Sequence, residues 1–464
     1  MIRRFVPEGL ELCLVGDNVC AMNFVIVSPL FWPLKNPEAY CSTRFASALA
    51  KAGHSVHVVT YERPAEMFEK SYDVLVHPSV KITRVKCPTE KLRFPYVSWR
   101  WLSVWDNDSF GVKDYIASVK EVLAQYENPV LVSRSFPLVA LTVAWYCRKR
   151  AAKWIAHFSD PILDQDPATK LGRLSHFFKK IWMRRAFRDS DGVSVTCKRV
   201  VRYYREQLGS IVDKQKWILT THIGDFKLDK KVGGKGLGVR SQELEGEVRV
   251  NSSMENGDSN TSRTIEQSNY QNNRTILHDG DIYYGRGLQI LEAVMKLNEQ
   301  GVPVEFIQGR RVKNEGDRKK ILETPHCFIL DENATDELRA RAQAAQVSFV
   351  ADFNTEGLPY SPYLMSKFVY QLFADKPMVV FSKLDSEKHD YCVTYPEAGL
   401  FFADKNEPGS LEKAIKAALE CDPKKIDRSR IRERFSEEHI AAEFIEQLEC
   451  EDRELLKEKW TSRL

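Results

Sequence analysis

No apolar run in this chain approaches the roughly 18 residues that a membrane-spanning helix needs, so the chain is not expected to cross a bilayer. There is no Cys-x-x-Cys pair and no Cys/His cluster of metal-binding type. The ten cysteines, scattered from Cys13 to Cys450, read as reduced and mostly buried thiols of a cytoplasmic protein. No D-x-D triplet stands out as a metal signature, and no metal or cofactor is expected. An excess of charge of one sign is also lacking. A net charge of +4 over 464 residues does not by itself imply a nucleic-acid partner, and none is expected. Asn251 and Asn260 each begin an N-x-S sequence, which carries little weight without a signal peptide. What is present, 43% hydrophobic and 28% charged residues, is the composition of a soluble globular protein. Its length suits two domains that each bury a core.

Residues 1–21 fit poorly with the rest of the chain and read as an upstream-start artefact or a loose tail, with a short amphipathic anchor as the alternative. From Met22 onward, short β-rich runs alternate with helical stretches. Strands are expected at Phe24–Ser28, Val56–Thr60, Asp73–Val76, Pro129–Ser133, Trp154–Phe158, Gly192–Thr196 and Trp217–Thr221. Such alternation predicts α/β architecture with a parallel sheet covered on both faces. In the first unit, a strand and a Pro-rich loop from Ser28 to Tyr40 precede a helix over about Cys41–Ala52, which Gly53 ends. That loop is expected to face a cleft, because ligands in open α/β sheets bind beyond the C-terminal strand ends. From Lys230 to Asn273 the composition shifts to Gly, Ser, Asn, Gln and Glu, which predicts a flexible insertion. The expected domains are 22–225 and 274–435, separated by an insertion at 226–273 and followed by a C-terminal helical segment at 436–464. In the second domain, strands are expected at Val304–Ile307, Cys327–Leu330, Val347–Val350, Met378–Phe381 and Gly399–Phe402.

Three groups of residues could carry chemistry. Ser361–Val380, SPYLMSKFVYQLFADKPMVV, places Ser366 and Lys367 in the first turn of a helix that leads into a strand. Unpaired N–H groups and a partial positive charge suit that place to a diphosphate, although an ordinary capped helix with a solvated lysine fits the same residues. Lys153–Pro161, KWIAHFSDP, supplies His157 and Asp160 at a strand end, where a base could take an acceptor proton. Alternatively, Asp160 caps the next helix and His157 packs under the sheet. Lys179–Arg205 interleaves Arg and Lys with Trp182, Phe187, Tyr203 and Tyr204, and Phe94–Trp105 adds more aromatics. That mixture suits an anionic membrane surface, single-stranded nucleic acid or simply a solvated basic helix face.

Ser361–Val380 resembles the donor-site helix of GT-B glycosyltransferases of family 4. Phe45–Thr60, FASALAKAGHSVHVVT, is similar to the opening unit of that family, with Asn36 and Pro37 in place of its usual loop glycines. Thr275–Leu297 is similar to the unit in which a strand-end glycine, here Gly280, leads to a cation–glycine pair, here Arg286 and Gly287. The resemblance covers most of residues 22–450. It implies a GT-B fold of two Rossmann-like domains facing a cleft, with a last helix that crosses back to the first domain. It further implies a nucleotide-sugar donor held by Gly280, Arg286, Gly287, Tyr360, Ser361, Ser366, Lys367 and Tyr370, with Asp160 and His157 as catalytic candidates.

Two departures matter. Asp281 stands where the family carries an arginine after the strand-end glycine. Tyr370 and Pro362 stand where it carries the two carboxylates of an E-x7-E pair, so Glu356, Tyr360 and Tyr363 are candidates for replacement contacts. The resemblance implies a cytoplasmic glycosyltransferase in cell-surface polysaccharide synthesis. Such an enzyme would act on a glycan or lipid-linked acceptor, peripheral on the inner face of the plasma membrane, with retention and without a metal. A noncatalytic GT-B protein, a sugar-nucleotide epimerase and a phosphorylase remain as alternatives.

Overall fold

The computed structural model describes residues 21–34, 36–67, 76–86, 111–135, 137–163, 170–224, 274–282, 285–331, 333–353 and 357–451. Five expectations fall outside these residues: the N-terminal tail up to residue 20, the aromatic set at 94–105, the insertion, Glu356 and most of the strand at Asp73–Val76.

The first sheet is built from β1 (Asn23–Val27), β2 (Ser55–Glu62), β3 (Lys81–Lys86), β4 (Val130–Arg134), β5 (Lys153–Phe158), β6 (Gly192–Val195) and β7 (Trp217–Leu219). Its order is β3-β2-β1-β4-β5-β6-β7, with neighbouring strands parallel. The helices between these strands are α1 (Pro37–Lys51), α2 (Val112–Leu123), α3 (Val139–Cys147), α4 (Lys170–Asp189) and α5 (Arg199–Leu208). The second sheet, β8 (Arg274–His278), β9 (Val304–Gln308), β10 (Cys327–Ile329), β11 (Val347–Ala351), β12 (Met378–Ser382) and β13 (Leu400–Asp404), is parallel too, in the order β10-β9-β8-β11-β12-β13. With it come α6 (Gln289–Glu299), α7 (Glu315–Glu323), α8 (Asp336–Gln343), α9 (Ser366–Gln371), α10 (Glu387–Thr394) and α11 (Ser410–Glu420). The chain continues through α12 (Ser429–Arg434) and α13 (Glu437–Glu449).

Local chemistry explains the elements. β1 and β4 are apolar runs buried on both faces, as strands covered by helices must be. At α1, the Asn36 side chain accepts from the Glu38 N–H and Pro37 occupies the first turn, while Gly53 beyond the helix takes φ 89°. Along α2, Tyr115, Val119 and Val122 form one buried stripe. Val76 lies in a bend, and β3, a strand not expected from the sequence, forms from KITRVK. Only Val85 of β3 is buried, because β3 is an edge strand whose charged residues face water.

Helix α13 packs on the first sheet. Phe444 meets Phe45 edge-on at 5.0 Å, and the Gln447 side chain accepts from the Leu219 N–H at 2.8 Å. Lys153 and Lys216 donate to the Leu448 carbonyl at its C-terminal end, where cations are favoured. The C-terminal strand ends of the two sheets face each other. One apolar core joins Phe158, Trp182 and Tyr204 to Tyr360, Leu364 and Phe368.

Candidate functional site between the two sheets

The second sheet reverses its strand order between β8 and β11, the place where open α/β sheets bind ligands. Arg286 and Lys367 both come to this place. Arg286 is buried, donates from Nε to the Ala351 carbonyl at 2.7 Å, stacks 4.3 Å from the Phe353 ring centre and touches the Met365 sulfur. Lys367, in the first turn of α9, donates to the Asp279 carbonyl at 2.5 Å. Burial lowers its pKa, and the carboxylate of Asp279 works against that shift. Arg310 pairs with the Asp279 carboxylate at 2.7 Å.

The two glycines let backbone approach closely. Gly287 takes φ 73°, and a Cβ there would lie 2.8 Å from that of Ala351. At Gly280, a Cβ would lie 2.6 Å from His278 Nε2. The His278 ring is held by Gln308, and burial together with Arg286 pushes its pKa down to about 3.

The remaining donor-side candidates are spread more widely. Ser366 opens α9, which has six residues and no side-chain cap at Met365. Ser361 is buried; its N–H donates to the Asp385 carbonyl at 2.8 Å. Tyr360 points to the first domain, donating to Glu206 at 2.7 Å beneath the Arg202 guanidinium. Tyr370 lies 3.5 Å from Cys41 Sγ with Arg44 over its ring at 4.5 Å. Burial raises the pKa of that phenol well above its usual value, and Cys41 adds to the shift.

In the first domain, Asp160 is exposed just after β5, and its carbonyl accepts from Tyr204. His157 is buried beneath it, with Nδ1 2.8 Å from Ser194 Oγ and Nε2 3.2 Å from Ser159 Oγ. Burial holds its pKa well below the ordinary imidazole value, and Arg134 and His222 lower it further. The aromatic residues Trp182, Phe187, Tyr203 and Tyr204 are core, and Arg199 and Arg202 face acids of the second domain.

Two groups were not anticipated from sequence. Glu38 accepts from Arg134 at 3.2 Å, from Ser159 at 3.0 Å and from Ser42 at 3.4 Å, tying three strand-end segments together. His222 lies 3.4 Å from Cys41 Sγ and 2.8 Å from the Leu364 carbonyl, bridging the domains. The partners in each group are far apart in the chain and carry no local pattern. Among the described residues, no group of three His, Cys, Asp or Glu side chains is gathered as a metal site. No helix among them is long and apolar enough to cross a membrane. A surface depression of about 460 Å³ between β13 and α11 is lined by Leu384, Phe401 and Lys413 and holds none of the candidate residues.

Residues 39–219 match the family model described as a glycosyl transferase 4-like domain. A search of curated proteins gives no match. Solved structures are similar over nearly the whole chain. Anabaena HepE in complex with UDP and glucose has a TM-score of 0.53 at 14% identity, over 92% of this chain and 99% of that one. The catalytic domain of starch synthase IV from Arabidopsis thaliana, bound to ADP and acarbose, gives 0.53 at 10% identity, over 96% and 99%. An E. coli trehalose-6-phosphate protein bound with UDP-2-fluoro glucose gives 0.54 at 10%, over 92% and 98%. Residues 39–219 thus match a glycosyl transferase 4-like domain, and the chain shares the GT-B fold, two Rossmann-like domains, with these structures.

Proposed function

We propose that this protein transfers a sugar from a nucleotide-sugar donor to a glycan or lipid-linked acceptor in cell-surface polysaccharide synthesis. The observation that carries this reading is the meeting of Arg286 and Lys367 at the adjoining ends of β8 and β11, beside Gly280 and Gly287. Breaking a sugar–diphosphate bond builds negative charge on the leaving oxygen. Fixed cations in a site shielded from water stabilise that charge most in the transition state. Arg286 suits a diphosphate because its fork can donate two parallel hydrogen bonds. Asp160, exposed just after β5, is the candidate to meet the acceptor.

Retention is the proposed outcome, with the departing phosphate taking the acceptor proton and no metal required. Inversion of configuration in the product would instead assign Asp160 as a general base. The test is thermal stabilisation by a panel of nucleoside diphosphates, for the wild type and for Arg286→Ala and Lys367→Ala. Stabilisation by one base that both substitutions abolish is the expected result; no stabilisation by any nucleotide overturns the site assignment. A second reading, a noncatalytic nucleotide-sugar or glycan binder, is favoured by Tyr370, a phenol packed on Arg44 where the family carries a carboxylate. Donor binding without transfer or donor hydrolysis would select it.

A further inference from the structure

The two aromatic side chains that stand exposed among the described residues, Tyr146 at 45% and Phe177 at 58%, both lie on the helix pair α3 and α4. On α4, Phe177, Lys180, Arg184 and Arg188 recur every three or four residues and so share one face of the helix. Arg184 and Arg188 are exposed, and Lys180 is half-buried. The opposite face, with Trp182, Met183, Ala186 and Phe187, belongs to the core. Tyr146 is held against α4, its ring centre 6.5 Å from that of Trp182. Arg185 bridges the two helices, with its guanidinium over the rings of Trp145 at 5.4 Å and Trp182 at 4.8 Å.

The charge on this pair is one-sided. The twenty residues of α4 carry seven Lys and Arg and a single acid, Asp189, and α3 carries no acid. Asp189 sits at the far end of α4, where it accepts from Trp145 Nε1 at 2.6 Å and pairs with Arg188 at 2.7 Å and Arg148 at 3.6 Å. Exposed cations cost nothing in water, so a solvated basic face would account for them alone. It does not account for the two exposed rings falling beside them. A single-stranded nucleic acid would need ring faces open to stacking, and the Trp145 ring already carries Arg148 at 4.4 Å as well as Arg185. Phe177, a ring with no polar tip among cations, suits the boundary between lipid headgroups and acyl chains.

We propose that the face of α4 formed by Phe177, Lys180, Arg184 and Arg188, with Tyr146 of α3 beside it, docks on an anionic lipid bilayer. The cations meet the headgroup phosphates while their stems and the two rings enter the apolar boundary. Asp191, two residues beyond α4, exchanges hydrogen bonds with the Trp154 backbone at the start of β5. Helix α4 therefore runs back along β5, and its Phe177 end lies toward the strand end that precedes Asp160. Docking in this way brings that end of the first domain to the surface where a lipid-linked acceptor resides. The acceptor's identity rests on the function proposed above; the docking itself does not.

The test is flotation with vesicles of phosphatidylcholine, alone or mixed with phosphatidylglycerol. The proteins are the full-length wild type, Lys180→Gln/Arg184→Gln, Phe177→Ala and, as a control, Lys413→Gln, an exposed lysine on α11 of the second domain. The wild type is expected to float with the mixed vesicles and far less with phosphatidylcholine alone. The double variant should bind the mixed vesicles about thirtyfold more weakly at low salt, a difference that shrinks as salt is added. Phe177→Ala should weaken binding at low and high salt alike, and Lys413→Gln should bind as the wild type does. No binding of mixed vesicles by the wild type overturns the proposal, as do equal binding by wild type, double variant and Phe177→Ala, and a loss in Lys413→Gln as large as in the double variant. A single-stranded oligonucleotide bound by the wild type and not by the double variant, without vesicle binding, overturns it in favour of nucleic acid. Should the double variant fail to fold, Phe177→Ala decides: unchanged vesicle binding overturns the proposal. Nucleoside diphosphate binding is expected to be the same in all four proteins, so failure of the docking face leaves the donor site standing.

Discussion

Gly287 shows how much one residue without a side chain decides. Its backbone is in the left-handed region, and a Cβ would press on Ala351 at the end of β11. Gly287→Ala is expected to cost about 1–3 kcal/mol, the usual cost of a strained backbone. It should also shift Arg286 and lower nucleotide affinity, and urea denaturation with a binding titration would read both effects. An unchanged midpoint with full binding would contradict the account. Arg286 was legible in the sequence through the resemblance of its βα unit to one with a cation–glycine pair. His222 was not, since nothing beside it in the chain announces Cys41 or Leu364, and only the fold brings it to them.

At the scale of elements, α5 and α10 connect the domains. Arg199 on α5 binds Asp385 at 2.6 Å and also Asp390 on α10, while Cys197 donates to the Pro362 carbonyl at 3.0 Å. The pairs are partly exposed, so each contributes about 1 kcal/mol and weakens with salt. Arg199→Ala is expected to loosen the domain contact. Small-angle scattering should report a larger radius of gyration, and the difference from wild type should shrink in high salt; equal radii at low salt would refute this role. Gly224 is a second point of contact: a Cβ there would lie 1.9 Å from the Phe373 ring, and its N–H donates to the Phe435 carbonyl at 2.9 Å. Gly224→Ala overpacks this junction, at a cost of about 1–3 kcal/mol readable as a fall in the melting temperature. A basic, aromatic stretch suggested a membrane face to sequence reasoning because charge and ring content do not reveal which side of a helix is covered. The fold places the rings of Trp182, Phe187 and Tyr204 in the core, pairs Arg199 and Arg202 with acids and turns Phe177 and Arg184 outward.

For the whole molecule, buried imidazoles link stability to pH. His157, His222 and His278 are buried, and burial lowers the pKa of each, to about 3 at His278. Below the ordinary value near 6.5 the unfolded chain binds protons that the native state does not, so their contribution is present above that pH and lost on acidification. Each can steepen the loss by up to about 1.4 kcal/mol per pH unit. Urea midpoints should therefore fall between pH 7 and 5, and a flat profile would contradict the burial of these rings. The C-terminal helix offers a separate test. Phe444→Ala should cost about 3–5 kcal/mol, because the ring packs between Phe24 and Phe45 under the first sheet, and an unchanged denaturation midpoint would refute that packing.

What the sequence determined by itself was the succession of elements: short apolar strands, helices with their caps and glycine stops, and βα units that carry Gly280 and Arg286 on a loop and Lys367 in the first turn of a helix. Those are consequences of backbone preference and hydrophobic period, which act over a few neighbouring residues. The tertiary structure alone decided the partners. It turned Tyr360 towards Glu206 and Tyr370 towards Arg44, tied Glu38 to Arg134 and Ser159, and set His222 between Cys41 and the Leu364 carbonyl. These pairings join residues distant along the chain. They exist because two sheets meet with their C-terminal ends facing, an outcome of packing that no local pattern encodes.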